Sequence, residues 1–457
     1  HHMRVTHQSP GLPTPYSAVP PHYVKTFTEY LRANGYYCTN NSKEDYQFQT
    51  PVTAWDDSSN QAHWRNRPDD DQPFFSIFNF TTTHESQCWG DPDTTDPDDV
   101  EVPPYYPDTP EVRTHIARLY DQIAKMDGQV GDMLQQLEED GLADNTIIFY
   151  WSDHGDGLPR AKRWLYESGT HVPLIVKWPG GIEPGSVNEN LVSSIDFGPT
   201  VLSLAGVPVP EHMQGKPFLG GQASEPREYI FGARDRIDSV YDMVRMVRDD
   251  RYRYIRNYFP EKPYVLLVPY RNRNRTMQTL LRYKAEGKLE APQQLWMANS
   301  RPPEELYDVE KDPHEIHNLA DDPKYQDIKK RLSNVLDRWR IHSGDMGDIP
   351  EDQMVEQFWP DGEQPATHEP VFSINAEEFI DEDILTEGGT FQGPALLRMY
   401  GPTHGSSVAY TFESGDNPHW LLYTGPMEIS GTTTVRAKAI RIGYKESPEV
   451  SATFKIT

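Results

Sequence analysis

The chain has 457 residues, enough for about three domains of ordinary size and for a large buried core. Its 43 Lys and Arg residues against 70 Asp and Glu residues leave a formal net charge of −27, which opposes extended contact with nucleic acid or an anionic membrane. No apolar run approaches the roughly 18 residues of a membrane span, and two cysteines, Cys38 and Cys88, are too few for a disulfide framework. These features predict a multidomain globular protein with neither nucleic acid nor a membrane as its partner.

The first predicted elements follow a proline-punctuated N-terminal stretch. A helix is predicted over 22–34, with Gly35 as its C-cap, and an apolar strand is predicted over 74–80. That strand ends in the polar cluster Thr81-Thr82-Thr83-His84-Glu85-Ser86. Functional groups often lie at this end of a strand in an α/β sheet.

The longest predicted helix begins at Thr109-Pro110-Glu111, which combines an N-cap, a first-turn proline and a first-turn carboxylate, and it ends at Gly141. Its apolar side chains recur at three- and four-residue steps, so we expect one face to pack in the core. The residues of that face are Ile116, Leu119, Ile123, Met126, Val130, Leu134 and Leu137. Strands are predicted over 146–151 and 172–178, the first with the continuous apolar run of a strand buried in a parallel sheet.

This order of strand, helix and strand predicts an α/β fold with a doubly wound, mostly parallel sheet. Alternating apolar and charged residues over 227–258, then an amphipathic helix over 322–340, predict a smaller α+β lobe. Short alternating strands between Gly and Pro turns predict a β-sandwich at the C-terminus. The predicted boundaries are 1–215 for the α/β domain, 216–344 for the smaller lobe, 345–385 for a linker and 386–457 for the sandwich.

Candidate metal ligands come directly after the strand at 146–151. Asp153 and His154 offer an oxygen and a nitrogen donor that suit a divalent cation, although such a pair taken alone is more often a turn with a solvated carboxylate. Three cations follow within four positions, at Arg160, Lys162 and Arg163. On an otherwise acidic protein, these cations beside a metal half-site are what a sulfate or phosphate group requires.

Four motifs in this order resemble those of the formylglycine-dependent sulfatases of the alkaline phosphatase superfamily. The motifs are Phe78–His84, Trp151–Gly155, Lys162 with Tyr166–Pro173, and Glu305–Leu319. The resemblance extends to about residue 340 and is closest to the heparan N-sulfatase-like branch and to bacterial polysaccharide sulfatases. It implies an alkaline phosphatase-like fold, a calcium ion, and hydrolysis of a sulfate ester or sulfamate on a sulfated carbohydrate. The tail resembles the C-terminal domain of chitobiases.

The resemblance also implies roles for individual residues. Asp153 and His154 match a pair of calcium ligands, with His in place of a common Asn. Lys162 matches the lysine that binds a sulfate oxygen. His84 matches the strand-tip histidine that contacts the sulfate ester, and it is a candidate proton donor to the leaving group.

Two further matches have alternative interpretations. Lys43 aligns with an active-site lysine, although Asp45 stands where many sulfatases have a histidine, and a solvated lysine is the alternative. Arg234, Asp235 and Arg236 lie where relatives of this branch build substrate contacts, and a surface salt bridge is the alternative. Lys43, Arg234, Asp235 and Arg236 complete the candidate site.

The family nucleophile is a formylglycine made from cysteine in a Cys-x-Pro/Ala-x-Arg motif, and neither Cys38 nor Cys88 fits it. We therefore expect the chain to be a fragment whose nucleophile segment lies upstream of His1, and we expect the fragment to be inactive. By resemblance, the intact protein is secreted or periplasmic, with a signal peptide outside this chain.

Two other functions and two binding features stay open. The alternatives are a phosphoesterase or phosphonate hydrolase of the same superfamily and a non-catalytic carbohydrate-binding remnant. The basic run Arg271–Arg275 is either a contact for an anionic polysaccharide or a solvated face. Trp420 and Tyr423 either stack on sugars or pack within the tail.

Overall fold

The computed structural model describes residues 16–237, 240–375, 384–391 and 393–457. The chain divides into two compact units, each assembled from segments that are distant in sequence. Within the described residues, unit 1 comprises 80–192 and 226–348, and unit 2 comprises 16–79, 193–225 and 349–457. The predicted domain boundaries stay predictions.

The elements of the first half are α1 (Phe27–Ala33), β1 (Tyr37–Asn41), β2 (Asp57–Ser58), β3 (Phe74–Phe78), α2 (Pro110–Glu139), β4 (Ile148–Trp151), α3 (Glu167–Thr170), β5 (Leu174–Lys177) and α4 (Phe197–Leu204). The smaller lobe contains β6 (Ile230–Ile237), β7 (Val240–Arg248), β8 (Tyr252–Asn257), α5 (Arg275–Glu286), α6 (Ala291–Trp296), β9 (Glu304–Asp308) and α7 (Gln326–Ser343). The C-terminal part contains α8 (Glu351–Phe358), β10 (Val371–Asn375), β11 (Ile384–Thr386), β12 (Gly388–Phe391), β13 (Ala395–Tyr400), β14 (Ser407–Thr411), β15 (Leu421–Leu422), β16 (Met427–Ile429), β17 (Thr433–Ile440) and β18 (Val450–Ile456). Among the described residues, no helix is both long enough and apolar enough to cross a bilayer.

Unit 2 contains a short parallel sheet in the order β2-β1-β3. Helices α1 and α4 contribute to one apolar cluster with β1, centred on buried Leu31, Cys38 and Leu202. Helix α1 is shorter than the predicted 22–34, while Gly35 has the positive φ of 86° expected after a helix C-terminus. The parallel pairing confirms the expected α/β class for this part of the chain.

The predicted β-sandwich is present in unit 2. Its two sheets have the strand orders β11-β10-β13-β16 and β12-β18-β17-β14-β15. One core joins them, with Phe372 and Leu397 from the first sheet and Val435 and Phe454 from the second. Helix α8 and strand β10 lie within the stretch 345–385 that is predicted as a linker; residues 376–383 of that stretch lie outside the described residues.

In unit 1, α2 begins as predicted, with the Thr109 hydroxyl accepting a hydrogen bond from the Val112 backbone N–H. Its apolar face is only partly in the core. Three side chains of the face are buried, whereas Ile123 and Leu134 are exposed. Periodicity places residues on one face of a helix but does not determine which part of that face is covered.

The strands β4 and β5 differ from the expectation. They pair antiparallel, with Phe149 opposite Val176, and the side chains of β4 are half-buried or exposed rather than fully buried. An apolar run is compatible with either strand direction, since direction is set by the pairing partner. The smaller lobe has the predicted antiparallel sheet, in the order β6-β7-β8-β9, and α7 packs on it through Leu332 and Leu336.

Candidate active site

His84 lies just before a short 3-10 helix, Glu85–Cys88, in unit 1. The side chain is half-buried. Its Nδ1 is 3.0 Å from the Ser86 hydroxyl, and its ring centroid is 6.4 Å from that of Tyr270. These contacts hold the imidazole against unit 1.

Glu85, the next residue, is buried at 1% exposure and contacts two of the predicted cations. Arg163 makes two hydrogen bonds to its carboxylate, at 2.8 and 3.1 Å, and Lys162 Nζ is 3.3 Å from Oε1. Burial alone would raise the pKa of Glu85, but Arg163 and Lys162 more than offset burial, so the pKa lies below its usual value. Glu85 is therefore an ionised anchor for two cations directly beside His84.

Burial has the opposite effect on Lys162. It lowers the pKa of the ammonium group, and the negative charge of Glu85 partly offsets this. The charge of Asp153 acts on Lys162 in the same direction as Glu85. Glu85 follows His84 in the chain and contacts Lys162, so His84 and Lys162 belong to one region of unit 1. The roles predicted for His84, Lys162 and Asp153 stay predictions.

Gly155 and Gly157 allow their backbone to pass very close to neighbouring segments of the candidate site. A Cβ at Gly157 would lie 2.7 Å from the Glu85 Cα. A Cβ at Gly155 would overlap the Ser168 carbonyl oxygen, and the Gly155 N–H donates to Gly169 O at 3.0 Å. Glycine is required where two backbones approach this closely.

Asp153 and His154 provide part of a metal site at most. Asp153 Oδ1 is 3.7 Å from His154 Nε2, and His154 Nδ1 is 2.6 Å from Gly155 O. Among the described residues, no three His, Cys, Asp or Glu side chains are grouped to hold a metal ion. Calcium takes about six to eight oxygen ligands, so these two residues do not by themselves fit a calcium ion.

Arg160 does not join the other two cations. Its side chain is buried between the rings of Tyr105 and Tyr166, at 4.5 and 3.9 Å from their centroids. Its guanidinium donates to the carbonyl oxygens of His314 and Glu315. The expectation of three cations for one anion is therefore wrong for Arg160, whose role is structural.

The third and fourth sequence motifs contact each other through a buried charge network. The Glu315 carboxylate accepts from the Glu167 N–H at 2.6 Å and pairs with Arg253 at 3.0 Å. Burial raises the pKa of Glu315 to about 7, although Arg253 and Arg160 oppose the rise. The contacts of Glu167 and Glu315 thus join the third motif to the fourth.

Arg234 and Asp235 are buried in ion pairs within the smaller lobe. Arg234 pairs with Asp242, and its guanidinium lies 4.3 Å from the Trp164 ring centroid. Asp235 pairs with Arg245 at 2.7 Å. Both side chains are buried, so the surface salt bridge that the sequence left open does not describe them. Their role as substrate ligands stays a prediction.

Arg236 and Lys43 differ from that pair. Arg236 is half-buried, with its guanidinium 5.9 Å from the Tyr241 ring centroid. Lys43 is exposed and belongs to unit 2, and its catalytic role stays a prediction.

Sequence reasoning missed Glu85, although its position next to His84 was a usable signal.

The chain is similar to known sulfatases over almost its whole length. The profile of the Sulfatase family matches residues 21–207, and that of the N-sulphoglucosamine sulphohydrolase C-terminal family matches residues 160–289. An ulvan-active sulfatase of Formosa agariphila is 41% identical over 98% of this chain and 79% of its own length. The chain belongs to the sulfatase family. Human N-sulphoglucosamine sulphohydrolase is 30% identical over 58% of this chain and 55% of its own length.

Solved structures show the fold of the family. A structure described as a complex with its substrate D-glucosamine-2-N,6-O-disulfate matches with a TM-score of 0.50 at 17% identity, over 73% of this chain and 85% of the other. A 2-O glycosaminoglycan sulfatase matches with a TM-score of 0.50 at 19% identity, over 75% and 78%. The expected α/β fold of the sulfatases is confirmed.

Proposed function

We propose that this sulfatase removes sulfate from a sulfated polysaccharide or its oligosaccharides. The relatives named above act on ulvan or on N-sulphoglucosamine, according to their names, and the solved neighbour was determined with a disulfated glucosamine. The observation that supports the proposal is the contact of Lys162 with Glu85, the residue that directly follows His84 in the chain. A fixed cation next to an imidazole suits a tetrahedral anion with a leaving oxygen or nitrogen.

In this proposal, the ammonium group of Lys162 binds a sulfate oxygen. The imidazole of His84 gives a proton to the oxygen or nitrogen that leaves sulfur. Lys43 and the Arg234–Arg236 segment are proposed as further active-site and substrate contacts. Arg163 holds Glu85 in its ionised form, so the anchor of Lys162 keeps its charge.

We further propose that formylglycine is the nucleophile and that calcium belongs to the reaction centre, with Asp153 and His154 among its ligands. The printed sequence contains no Cys-x-Pro/Ala-x-Arg motif. Calcium, when bound, would supply positive charge for the sulfate oxygens. The proposed location is outside the cytoplasm, where polysaccharides are degraded.

The test is sulfate release by the protein expressed from its complete reading frame. We expect sulfate from sulfated oligosaccharides, and we expect Lys162→Ala to lower kcat/KM at least about 100-fold, as loss of one charge-stabilising donor does. The exposed Lys288→Ala is the control and should act like the unaltered enzyme. Absence of sulfate release from a panel of sulfated glycans, with formylglycine verified by mass spectrometry, would contradict the proposal.

A further inference from the structure

A line of aromatic rings leads away from His84 in unit 1. The Tyr270 ring centroid is 6.4 Å from that of His84, and the Trp89 centroid is 5.1 Å from that of Tyr270. Tyr270 is exposed at 36%, while Trp89 is half-buried. Trp89 directly follows the 3-10 helix that begins at Glu85, so it lies on the same short segment of chain as His84 and Glu85.

Arg273 ends this line with a positive charge. Its side chain is exposed, and its guanidinium carbon lies 4.7 Å from the Trp89 ring centroid. Contact with an indole face reduces the freedom of the guanidinium while its N–H groups still face solvent. Among the described residues, no carboxylate forms an ion pair with Arg273.

The other two arginines of the basic run have different surroundings. Arg271 is buried at 1% exposure, and its guanidinium donates to the Leu266 carbonyl oxygen at 2.5 Å. Arg275 pairs with Asp91 at 2.8 Å. Of these three arginines, Arg273 alone is exposed and lies against an aromatic ring without a carboxylate partner among the described residues.

We propose that Tyr270, Trp89 and Arg273 form a subsite for a second, acidic sugar unit, next to the unit whose sulfate is removed. This inference rests on the proposed function. The face of Tyr270 packs against the sugar ring, and Arg273 pairs with a carboxylate or sulfate of the same unit. An acidic polymer approaching a chain of net charge −27 needs such a local cation.

The test compares substrates of two lengths with the protein from its complete reading frame. Arg273→Ala and Tyr270→Ala should each raise KM for a sulfated, uronate-containing oligosaccharide about tenfold, the loss of one charge-assisted contact. Their kcat should change less than twofold, and kinetics on a monosaccharide sulfate should not change. Arg273→Lys should restore part of the lost affinity, because charge remains without the planar fork.

The matched control is Arg282→Ala, which removes another exposed guanidinium that lies against a ring, that of Tyr283. It should leave KM unchanged for both substrates. If Arg273→Ala changes KM equally for the two substrates, or changes KM for neither, the subsite is overturned. A carboxyl-reduced oligosaccharide identifies the anion: if the Arg273 effect disappears, Arg273 binds the carboxylate, and if it persists, Arg273 binds the sulfate.

Binding by the 457-residue chain separates this inference from the proposed function. Calorimetry with the same oligosaccharide should show weaker binding for Arg273→Ala and a smaller dependence of affinity on salt. Unaltered affinity in Arg273→Ala would overturn the subsite even if the enzyme is active. Absence of sulfate release by the unaltered enzyme, with Arg273-dependent binding retained, would overturn the proposed function and leave the subsite standing.

Discussion

Glu85 shows how a single buried carboxylate can organise a cationic site. It holds Lys162 and Arg163 together, and without a shared anion their like charges would repel each other. Its own contacts leave it no exposed surface with which to meet a substrate. Glu85 is therefore a positioning residue, which acts on a sulfate group through Lys162.

We predict that Glu85→Gln lowers the free energy of unfolding by about 3 kcal/mol, because two partly buried cations lose their counter-charge. The pKa of Lys162 should fall further, since the charge that opposes the effect of burial is removed. The alkaline limb of the pH profile of sulfate release should then move to lower pH. Denaturant unfolding and a pH profile of kcat/KM measure the two effects.

The matched control for Glu85 is Glu111→Gln. Glu111 pairs with Arg282 at 2.9 Å, with both side chains nearly half-exposed. Exposed ion pairs contribute about 0–1 kcal/mol, so this variant should unfold like the unaltered protein. If Glu85→Gln does not shift the pH profile of kcat/KM, the positioning role is refuted, even if the variant is less stable.

At the scale of elements, the packing of α2 on α5 depends on a buried histidine. His115 is fully buried on α2, and its Nδ1 is 2.8 Å from the hydroxyl of Thr276 on α5. Burial lowers the pKa of His115 to about 4, and the positive charge of Arg275 adds to this effect. The packing therefore requires the neutral imidazole.

We predict that acid weakens this packing through His115. In the unfolded chain its pKa is about 6.5, so between pH 6.5 and 4 the unfolded state binds the proton more readily than the folded state. The contribution of neutral His115 to the free energy of unfolding is complete above about pH 6.5. It is lost as the pH falls from there through about 4, and the total loss is about 3 kcal/mol. Denaturant unfolding at several pH values measures it.

His115→Gln should reduce that pH dependence, because glutamine has no proton to bind. The exposed His342→Gln on α7 should keep the full dependence. Parallel stability curves for the unaltered protein and His115→Gln between pH 4 and 7 would show that His115 is not responsible.

At the scale of the whole molecule, the C-terminal sandwich is an integral part of unit 2. Arg32 of α1 donates to Asp56 at 2.8 Å and to the Trp420 carbonyl oxygen at 2.7 Å, and His419 Nε2 lies 3.3 Å from Asp56. Burial alone would raise the pKa of Asp56, but His419 and Arg32 more than offset burial, so this pKa is lowered. A buried ionic cluster thus joins segments separated by most of the chain.

We predict that Arg32→Ala destabilises unit 2 by about 3–5 kcal/mol, because Asp56 remains buried without its main partner. Hydrogen exchange monitored by mass spectrometry should be faster in 27–33, 53–58 and 418–422. Lys455→Ala, which removes an exposed charge from β18, is the control and should leave all three segments unchanged. Faster exchange confined to 27–33 would contradict the coupling.

Much of the architecture could be predicted from the sequence, where the signal is local. Thr109 and Pro110 start α2 as expected, and alternation in 227–258 predicted the antiparallel strands of the smaller lobe. Features that depend on distant partners could not be predicted. The exposure of Ile123 and the antiparallel direction of β4 depend on what lies beside them, which spacing along the chain does not record.

The sequence by itself determined which chemical groups the protein has and the order of the motifs that identify a sulfatase. Tertiary structure alone decided which groups meet. Glu85 and Arg163 are 78 positions apart, and Arg234 faces a buried aspartate rather than solvent. The reason is physical: helix caps and periodicity act over a few residues, whereas the environment of a charge is set by whatever the fold brings within a few ångströms.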